Sequence, residues 1–277
     1  MTVISKDTQL CLSLSGRPSN LGTRFHNFLY AELGLDFVYK AFTTDDLPAA
    51  IGGIRALGIR GAGISMPYKE DVIALVDELE ASAAAIDSVN TIVNTGGRLV
   101  AHNTDYLAVV TLLAEHGITP DGTGRGPAAV LGSGGMAKAC LAALRDTGFD
   151  DLLVVARNET TGVPLAAQYG ARWLPALGAE RPALVLNATP VGMAGGPAEH
   201  DLPVAREVVE AARAVFEVVA VPEDTPLVRL ARELGRTVVT GTEVAALQAA
   251  EQFALYTGVR PSPDQVRRAG EFSRRPV

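Results

Sequence analysis

The chain has 277 residues, enough for one large domain or two modest ones, with 48% hydrophobic, 20% charged and 5% aromatic residues and a formal net charge of −7. That acidic balance, with no Lys/Arg block and no basic–aromatic interleaving, argues against a nucleic-acid partner, and no apolar run approaches the roughly 18–20 residues needed to span a bilayer. Met1–Gly16 lacks the pattern of a signal peptide, Cys11 and Cys140 stand far apart, and the four His are scattered, so no disulfide framework or metal site is expected and a reducing cytoplasm is the natural location.

In chain order, Gln9–Leu14 reads as a short apolar strand, followed by a Gly/Pro/Ser/Asn-rich loop over Ser15–Gly22. Arg24–Leu33 carries Phe25, Phe28, Leu29 and Leu33 at helical spacing and closes on Gly34. Phe37–Phe42 reads as strand, Leu47–Leu57 as helix, and Gly61–Met66 as a buried strand ended by Pro67. Val72, Ile73, Leu75, Val76 and Leu79 then predict an amphipathic helix. Val89–Asn94 and Leu99–His102 flank Thr95-Gly96-Gly97 as a hairpin, and Tyr106–His116 reads as helix. Gly117–Pro127, rich in Gly and Pro, is the expected interdomain joint.

Beyond it the rhythm changes. Ala128–Leu131, Leu152–Ala156, Ala183–Asn187, Ala214–Val219 and Thr237–Thr240 are short apolar runs, most of them separated by helix-length stretches. Continuous rather than alternating apolar strands predict a parallel sheet covered on both faces. A last Ala-rich helix spans Glu243–Tyr256 and carries Gln248.

The first of these runs enters Gly132-Ser133-Gly134-Gly135-Met136-Ala137, which opens a helix. In a strand–G-x-G-x-x-A–helix unit the first glycine makes the tight turn, the second admits a pyrophosphate, and the small third residue lets helix and strand pack closely. The free N–H groups at the helix start meet the anion. A glycine cluster serves any tight turn, but the strand before and the helix after point to a dinucleotide. At the end of the next strand, Val155-Ala156-Arg157-Asn158 puts Arg157 where a 2′-phosphate is read, favouring NADP, while Glu159 leaves NAD open.

In the first half, Ile64-Ser65-Met66-Pro67-Tyr68-Lys69-Glu70 is expected to end a strand and open a helix, with Pro67 at its first position. Lys69 in the first turn, where the dipole disfavours a cation, is then poised to exchange a proton. Asp105 follows Asn103-Thr104 ahead of the next helix. From spacing alone, Lys69 also reads as a solvated lysine and Asp105 as an N-cap.

Ser65-Met66-Pro67-Tyr68-Lys69-Glu70, Ser88-Val89-Asn90-Thr91, Asn103-Thr104-Asp105, the Gly132 loop, Asn187-Ala188-Thr189-Pro190-Val191-Gly192-Met193, Thr225-Pro226-Leu227, and Gly241 with Gln248 occur in an order that resembles the shikimate dehydrogenase family over nearly the whole chain. The resemblance implies an α/β protein of two domains. One is an α/β substrate domain built from both chain ends, 1–106 and 242–277; the other, 107–241, is a doubly wound Rossmann-type NADP domain, with a cleft at their junction. It further implies that Lys69 transfers the proton, with Asp105 its partner on the reacting hydroxyl. Ser65, Asn90 and Gln248 would bind substrate, Asn187 and Thr189 would lie on the nicotinamide side, and Gly241 near the ring.

The match departs from the family at the substrate carboxylate. Relatives use two serines in an S-x-S-P segment just before a His-Asn pair; here His26-Asn27 is preceded by Asn20-Leu21-Gly22-Thr23. Asn20 and Thr23 stand where donors are needed, with Ser13, Ser15, Ser19 and Arg17 upstream as substitutes. Ala220 replaces a Tyr common in relatives, and Gly241-Thr242-Glu243-Val244 lacks their Met. The pattern resembles a divergent, shikimate dehydrogenase-like subgroup. The expectation is an NADP-dependent dehydrogenase, monomeric or homodimeric, that interconverts shikimate or a close cyclic hydroxy acid and its 3-keto form in aromatic amino acid biosynthesis. Quinate or aminoshikimate dehydrogenase, or a catalytically idle NADP-binding regulator, are the alternatives.

Overall fold

The computed structural model describes residues 4–124 and 126–275. The chain divides into two compact units: residues up to Thr104 together with those from Ala246 onward, and Asp105–Ala245. The Gly/Pro-rich stretch at 117–127 is therefore not the joint; its described part is a loop inside the second unit.

The first unit contains β1 (Gln9–Leu14), α1 (Leu21–Glu32), β2 (Phe37–Phe42), α2 (Leu47–Ala56), β3 (Gly61–Ile64), a 3-10 turn at Asp71–Leu75, β4 (Glu78–Leu79), α3 (Ala81–Ala84), β5 (Thr91–Thr95) and β6 (Arg98–His102). Its sheet runs β2-β1-β3-β5-β6-β4. β1 is parallel to β2 and β3, whereas β3–β5 and β5–β6 are antiparallel. The β5–β6 hairpin turns at Gly96 and Gly97, both at positive φ, and the Asn94 side chain accepts from the Gly97 amide at 2.9 Å.

One core of this unit gathers Leu12, Leu14, Ile51, Ile54, Ile64, Ile92 and Leu99. A second gathers Cys11, Phe25, Leu29, Tyr30, Tyr39, Phe253 and Tyr256. Each large side chain so buried contributes about 1.5–3 kcal/mol. Gly61 belongs to the second packing: a Cβ there would stand 2.2 Å from the Tyr256 ring, so β3 and the last long helix can approach only over a glycine.

The amphipathic helix expected after Pro67 does not form. Residues 66–70 make turns, the 3-10 turn follows, and Glu78–Leu79 joins β6 as a short parallel strand. The cause is a competing partner. Asp77 accepts from the Leu99 amide at 2.7 Å, and its own amide donates to the Leu99 carbonyl at 3.0 Å, which draws this segment into the sheet. Ile73, Leu75, Val76 and Leu79 still pack on the core, by a geometry other than a helix.

α4 (Thr104–Glu115) leads into the second unit, followed by β7 (Ala128–Leu131), α5 (Gly135–Asp146), β8 (Leu152–Val155), α6 (Glu159–Tyr169), β9 (Arg172–Leu174), β10 (Leu184–Asn187), α7 (Arg206–Ala211), β11 (Ala214–Glu217), α8 (Pro226–Glu233) and β12 (Thr237–Val239). α9 (Gly241–Thr257) crosses the second boundary, and α10 (Pro263–Arg274) belongs to the first unit. The second sheet is parallel throughout, in the order β12-β11-β10-β7-β8-β9. Read from the other edge this is the doubly wound order of a Rossmann sheet, with its reversal between β7 and β10. β7, β10 and β11 are buried along their whole length, as their unbroken apolar runs predict.

Candidate active site

In the first unit, candidate residues collect where β1 and β3 end and β5 begins. The Ser65 amide donates to the Leu14 carbonyl at 2.9 Å, and Gly16 to the Met66 carbonyl at 3.0 Å. Ile64 donates to the Asn90 carbonyl at 2.7 Å, and the Val89 amide to the Lys69 carbonyl at 2.9 Å. The Tyr68 hydroxyl donates to the Thr44 carbonyl at 2.6 Å and anchors the turn. Ser65 is exposed and Lys69 half-buried. The segment is turn rather than α-helix, so Lys69 does not lie in the first turn of an α-helix, and the Val89 bond to its carbonyl helps to hold it.

Asn90 is buried. Its Oδ1 accepts from the Thr104 amide and the Thr91 hydroxyl, each at 2.8 Å, and its Nδ2 donates to the Thr104 hydroxyl at 3.0 Å. Asn103 donates from Nδ2 to the Ser88 carbonyl at 2.9 Å, while its amide donates to the Ser82 hydroxyl at 3.0 Å. Asn90 and Asn103 thus fix the start of α4, and Asp105, buried, is the next residue. It lies inside the first helical turn rather than capping the helix. On α9, Gln252 donates to the Asn90 carbonyl at 3.2 Å, and Gln248 lies one turn earlier on the same helical face.

The serine-poor segment is filled differently from the family pattern. A Cβ at Gly22 would meet the Tyr39 ring at 3.6 Å and its hydroxyl at 3.7 Å. Tyr39 is buried, stacks on His26 at 4.3 Å, and bonds Ser13 through its hydroxyl. Burial holds the Tyr39 phenol above its ordinary range and pushes His26 down to about 4. Ser15 accepts from the Arg17 amide at 3.1 Å, so it caps its own loop. Asn20 is exposed and starts α1 without a side-chain cap. The Thr23 hydroxyl is enclosed and has no hydrogen-bond partner among the described residues.

The second unit holds a site of another kind. Gly132 follows β7 at φ +109°, and a Cβ there would stand 3.0 Å from the Ala188 carbonyl oxygen. Gly134 caps α5 in extended conformation, and a Cβ on it or on Gly135 would meet nothing within 4 Å. The amide-bearing end of α5 therefore opens onto free space, the condition for backbone to approach a pyrophosphate. Met136 is half-buried, and Ala137, fully buried, gives the close packing asked of the third small residue. The Ser133 hydroxyl pairs with Thr161 at 2.7 Å. Arg157 is exposed just beyond β8, beside Asn158, whose side chain accepts from the Thr160 amide at 3.0 Å to cap α6. The loop, the open helix end and the arginine fit an NADP molecule.

On the far side of the sheet reversal, Asn187 ends β10 fully buried. Its Oδ1 accepts from Thr189, from the hydroxyl at 2.6 Å and the amide at 3.1 Å. A Cβ at Gly241 would lie 2.2 Å from the Val219 carbonyl oxygen, so no larger residue fits. Glu217, at the end of β11, is fully buried beside Asn187 and was not singled out from the sequence. A lone acid closing an apolar strand run was the available signal. Gln252 and Tyr39 were passed over too, each indistinguishable from a packing residue in the sequence.

A family model described as the shikimate dehydrogenase substrate binding domain matches residues 19–92. A shikimate dehydrogenase-like protein of Haemophilus influenzae is 49% identical over 272 residues, covering 98% of this chain and 99% of the relative. The solved structure of a shikimate 5-dehydrogenase-like protein superposes with a TM-score of 0.95 at 49% identity, covering 99% of this chain and all of that one (100%). That of shikimate 5-dehydrogenase from Thermus thermophilus, in complex with NADP(H) and shikimate, gives a TM-score of 0.84 at 31% identity, covering 96% and 99%. With such identities sustained over both units, and with the Lys69, Asp105 and Gly132 motifs in the family's order, the chain belongs to the shikimate dehydrogenase family.

Proposed function

We propose that this protein is an NADP-dependent oxidoreductase that interconverts a cyclic hydroxy acid, shikimate or a close analogue, and its 3-keto form. The observation that carries the reading is the pairing of a glycine-lined, open helix start at the reversal of a Rossmann sheet with a polar network in the first unit that fixes Lys69, Asn90 and the residue preceding Asp105. The Thermus relative was solved with both NADP(H) and shikimate, which supports the same ligand pair here.

In this reading 1–106 and 242–277 form the substrate domain and 107–241 the dinucleotide domain. The amides at Gly134, Gly135 and Met136 hold the pyrophosphate, and Arg157 takes the 2′-phosphate. NADP supplies a nicotinamide carbon that accepts or returns a hydride. Lys69 Nζ accepts the proton of the secondary alcohol as its carbon is oxidised, and returns it in reduction. Asp105 holds that hydroxyl with Lys69, and Ser65, Asn90 and Gln248 take other polar groups of the ring. Asn187 and Thr189, with Gly241, shape the nicotinamide side. In this reading the protein acts as a monomer or a homodimer. Cys11 and Cys140 are buried free thiols, which suits the cytoplasm. No described helix is long and apolar enough to cross a membrane.

A second reading, oxidation of a related acid such as quinate in preference to shikimate, is favoured by one observation. Gly22 lies against Tyr39, and Asn20 is exposed, where the family places two serines. The deciding experiment follows nicotinamide absorbance with shikimate, quinate and aminoshikimate, each with NADP and NAD. Turnover of at least one acid with NADP is expected. Inertness towards the whole panel, with NADP bound, would leave the idle regulator.

A further inference from the structure

We propose that Glu217 is a positioning residue for the nicotinamide side of the site: its carboxylate holds the Asn187–Thr189 turn, the backbone after β11 and the start of α8 in one arrangement. This rests on the reading of the second unit as the dinucleotide-binding half.

Glu217 ends β11 fully buried, at the carboxyl edge of the sheet where ligands of doubly wound folds bind. Its Oε1 accepts from Asn187 Nδ2 and from the Val219 amide, each at 2.9 Å. Its Oε2 accepts from Asn187 Nδ2 at 3.1 Å and from the Thr225 hydroxyl at 3.0 Å.

Neither Asn187 nor Val219 can become an acceptor in place. Reversing the Asn187 amide would break both bonds that its Oδ1 receives from Thr189. Thr225 accepts from the Val228 amide at 3.2 Å as the cap of α8 and gives its single proton to Glu217. Val219 offers a backbone N–H. A carboxylate surrounded by donors matches its ionised form, and protonation sets its O–H against them unless the Thr225 hydroxyl turns.

Two of the three held segments border residues already placed in the site. Ala188, between Asn187 and Thr189, is what a side chain at Gly132 would strike, and the Val219–Ala220 backbone is what one at Gly241 would strike. Loosening Glu217 therefore moves the walls on which the glycine loop and the start of α9 are fitted.

Burial pushes the Glu217 carboxyl up to about 7, against the opposing pull of the Val219 and Val218 amides, Asn187 and Thr225. β10 and β12, its sheet neighbours, carry no ionisable side chain. On and before α8, Arg229 bonds the Asp224 carbonyl, Arg232 pairs with the Asp224 carboxylate, Glu233 pairs with Arg206 of α7, and Glu223 is exposed. On α9, Glu243 is taken up by Thr240 and His116. The carboxylate therefore gains or loses its proton in the neutral range, and the wall with it.

The test titrates the full-length protein and its Glu217→Gln variant with NADPH and with NADH, from about pH 8 to about pH 6, reading reduced-nicotinamide fluorescence. NADH lacks the 2′-phosphate, whose own ionisation would otherwise enter the profile. For the wild type, both Kd values are expected to rise several-fold as the pH falls through about 7. For the variant, which keeps the shape of the side chain, Kd should be about tenfold weaker at the upper pH and nearly flat below it, the scale of one charge-assisted hydrogen bond. A flat wild-type profile, or a folded variant that binds NADH as the wild type does, overturns the positioning role. A wild type that binds neither dinucleotide overturns the dinucleotide reading and the positioning role together.

Discussion

The candidate sites of the two units are built by opposite means. In the second, the candidate site is built into backbone: a helix start bared by Gly134 and Gly135, and a turn made by Gly132 at φ +109°. In the first, it is built from side chains that reach across the sequence, Asn90 to Thr104, Asn103 to Ser88 and Gln252 to Asn90. A backbone site tolerates change outside its glycines. A side-chain site depends on each of its members, and Asn20 and Gly22 are the positions at which this one departs from the family pattern.

The comparison breaks hardest at Lys69, the proposed proton-transfer group. Lys69→Ala should lower turnover by on the order of 10²-fold or more, the scale of a lost general acid/base, with KM changed much less. Steady-state kinetics with the preferred acid check this; near-normal turnover would remove Lys69 from the mechanism. Next is the backbone half. Gly241→Ala places a methyl group 2.2 Å from the Val219 carbonyl oxygen, and should cost about 1–3 kcal/mol of unfolding free energy in denaturant titration. An unchanged midpoint would show that the start of α9 yields freely.

Arg157→Ala sharpens the contrast within the second unit, because it removes the charged side chain there assigned to the cofactor. NADP binding should weaken by about 1.5–3 kcal/mol while NAD is unmoved. Equal losses for both would assign Arg157 to general electrostatics. The smallest change is expected at the retuned segment. Asn20→Ser with Gly22→Ser, as a pair, should lower the shikimate KM by about tenfold if a serine pair is the missing clamp. The site has room, since a Cβ at Gly22 meets Tyr39 at ordinary contact distance, 3.6 Å. A raised KM would mean that Tyr39 and Ser13 already serve the carboxylate.

Legibility in the sequence followed the same division. β7, β10 and β11 and the Gly132 loop could be read directly, because a buried parallel strand and a glycine turn are local and contiguous signals. β9 could not: Arg172, Trp173 and Leu174 form a three-residue strand with no apolar run. The segment after Pro67 was misread because its spacing is helical while Asp77 has its bonding partner in β6. The family resemblance points to Lys69, Asn90 and Gln248 in the first unit and to Asp105 at the start of the second, whereas spacing alone reads Lys69 and Asp105 as ordinary surface and capping residues. Thr23 was expected to offer a hydroxyl, and the fold encloses that hydroxyl. Glu217, Tyr39 and Gln252 act through partners 30, 26 and 162 residues away, which no local pattern reveals.

The central claim is that the residues of the two units serve one hydride transfer. The most direct measurement supplies shikimate, or whichever acid the panel selects, with deuterium on the carbinol carbon, together with NADP and the unmodified protein, and reads the nicotinamide by NMR. Deuterium at the nicotinamide C4, on one face, accompanied by a slowed turnover, is the predicted result. NADP bound to the protein with no label transferred from any acid of the panel would contradict it.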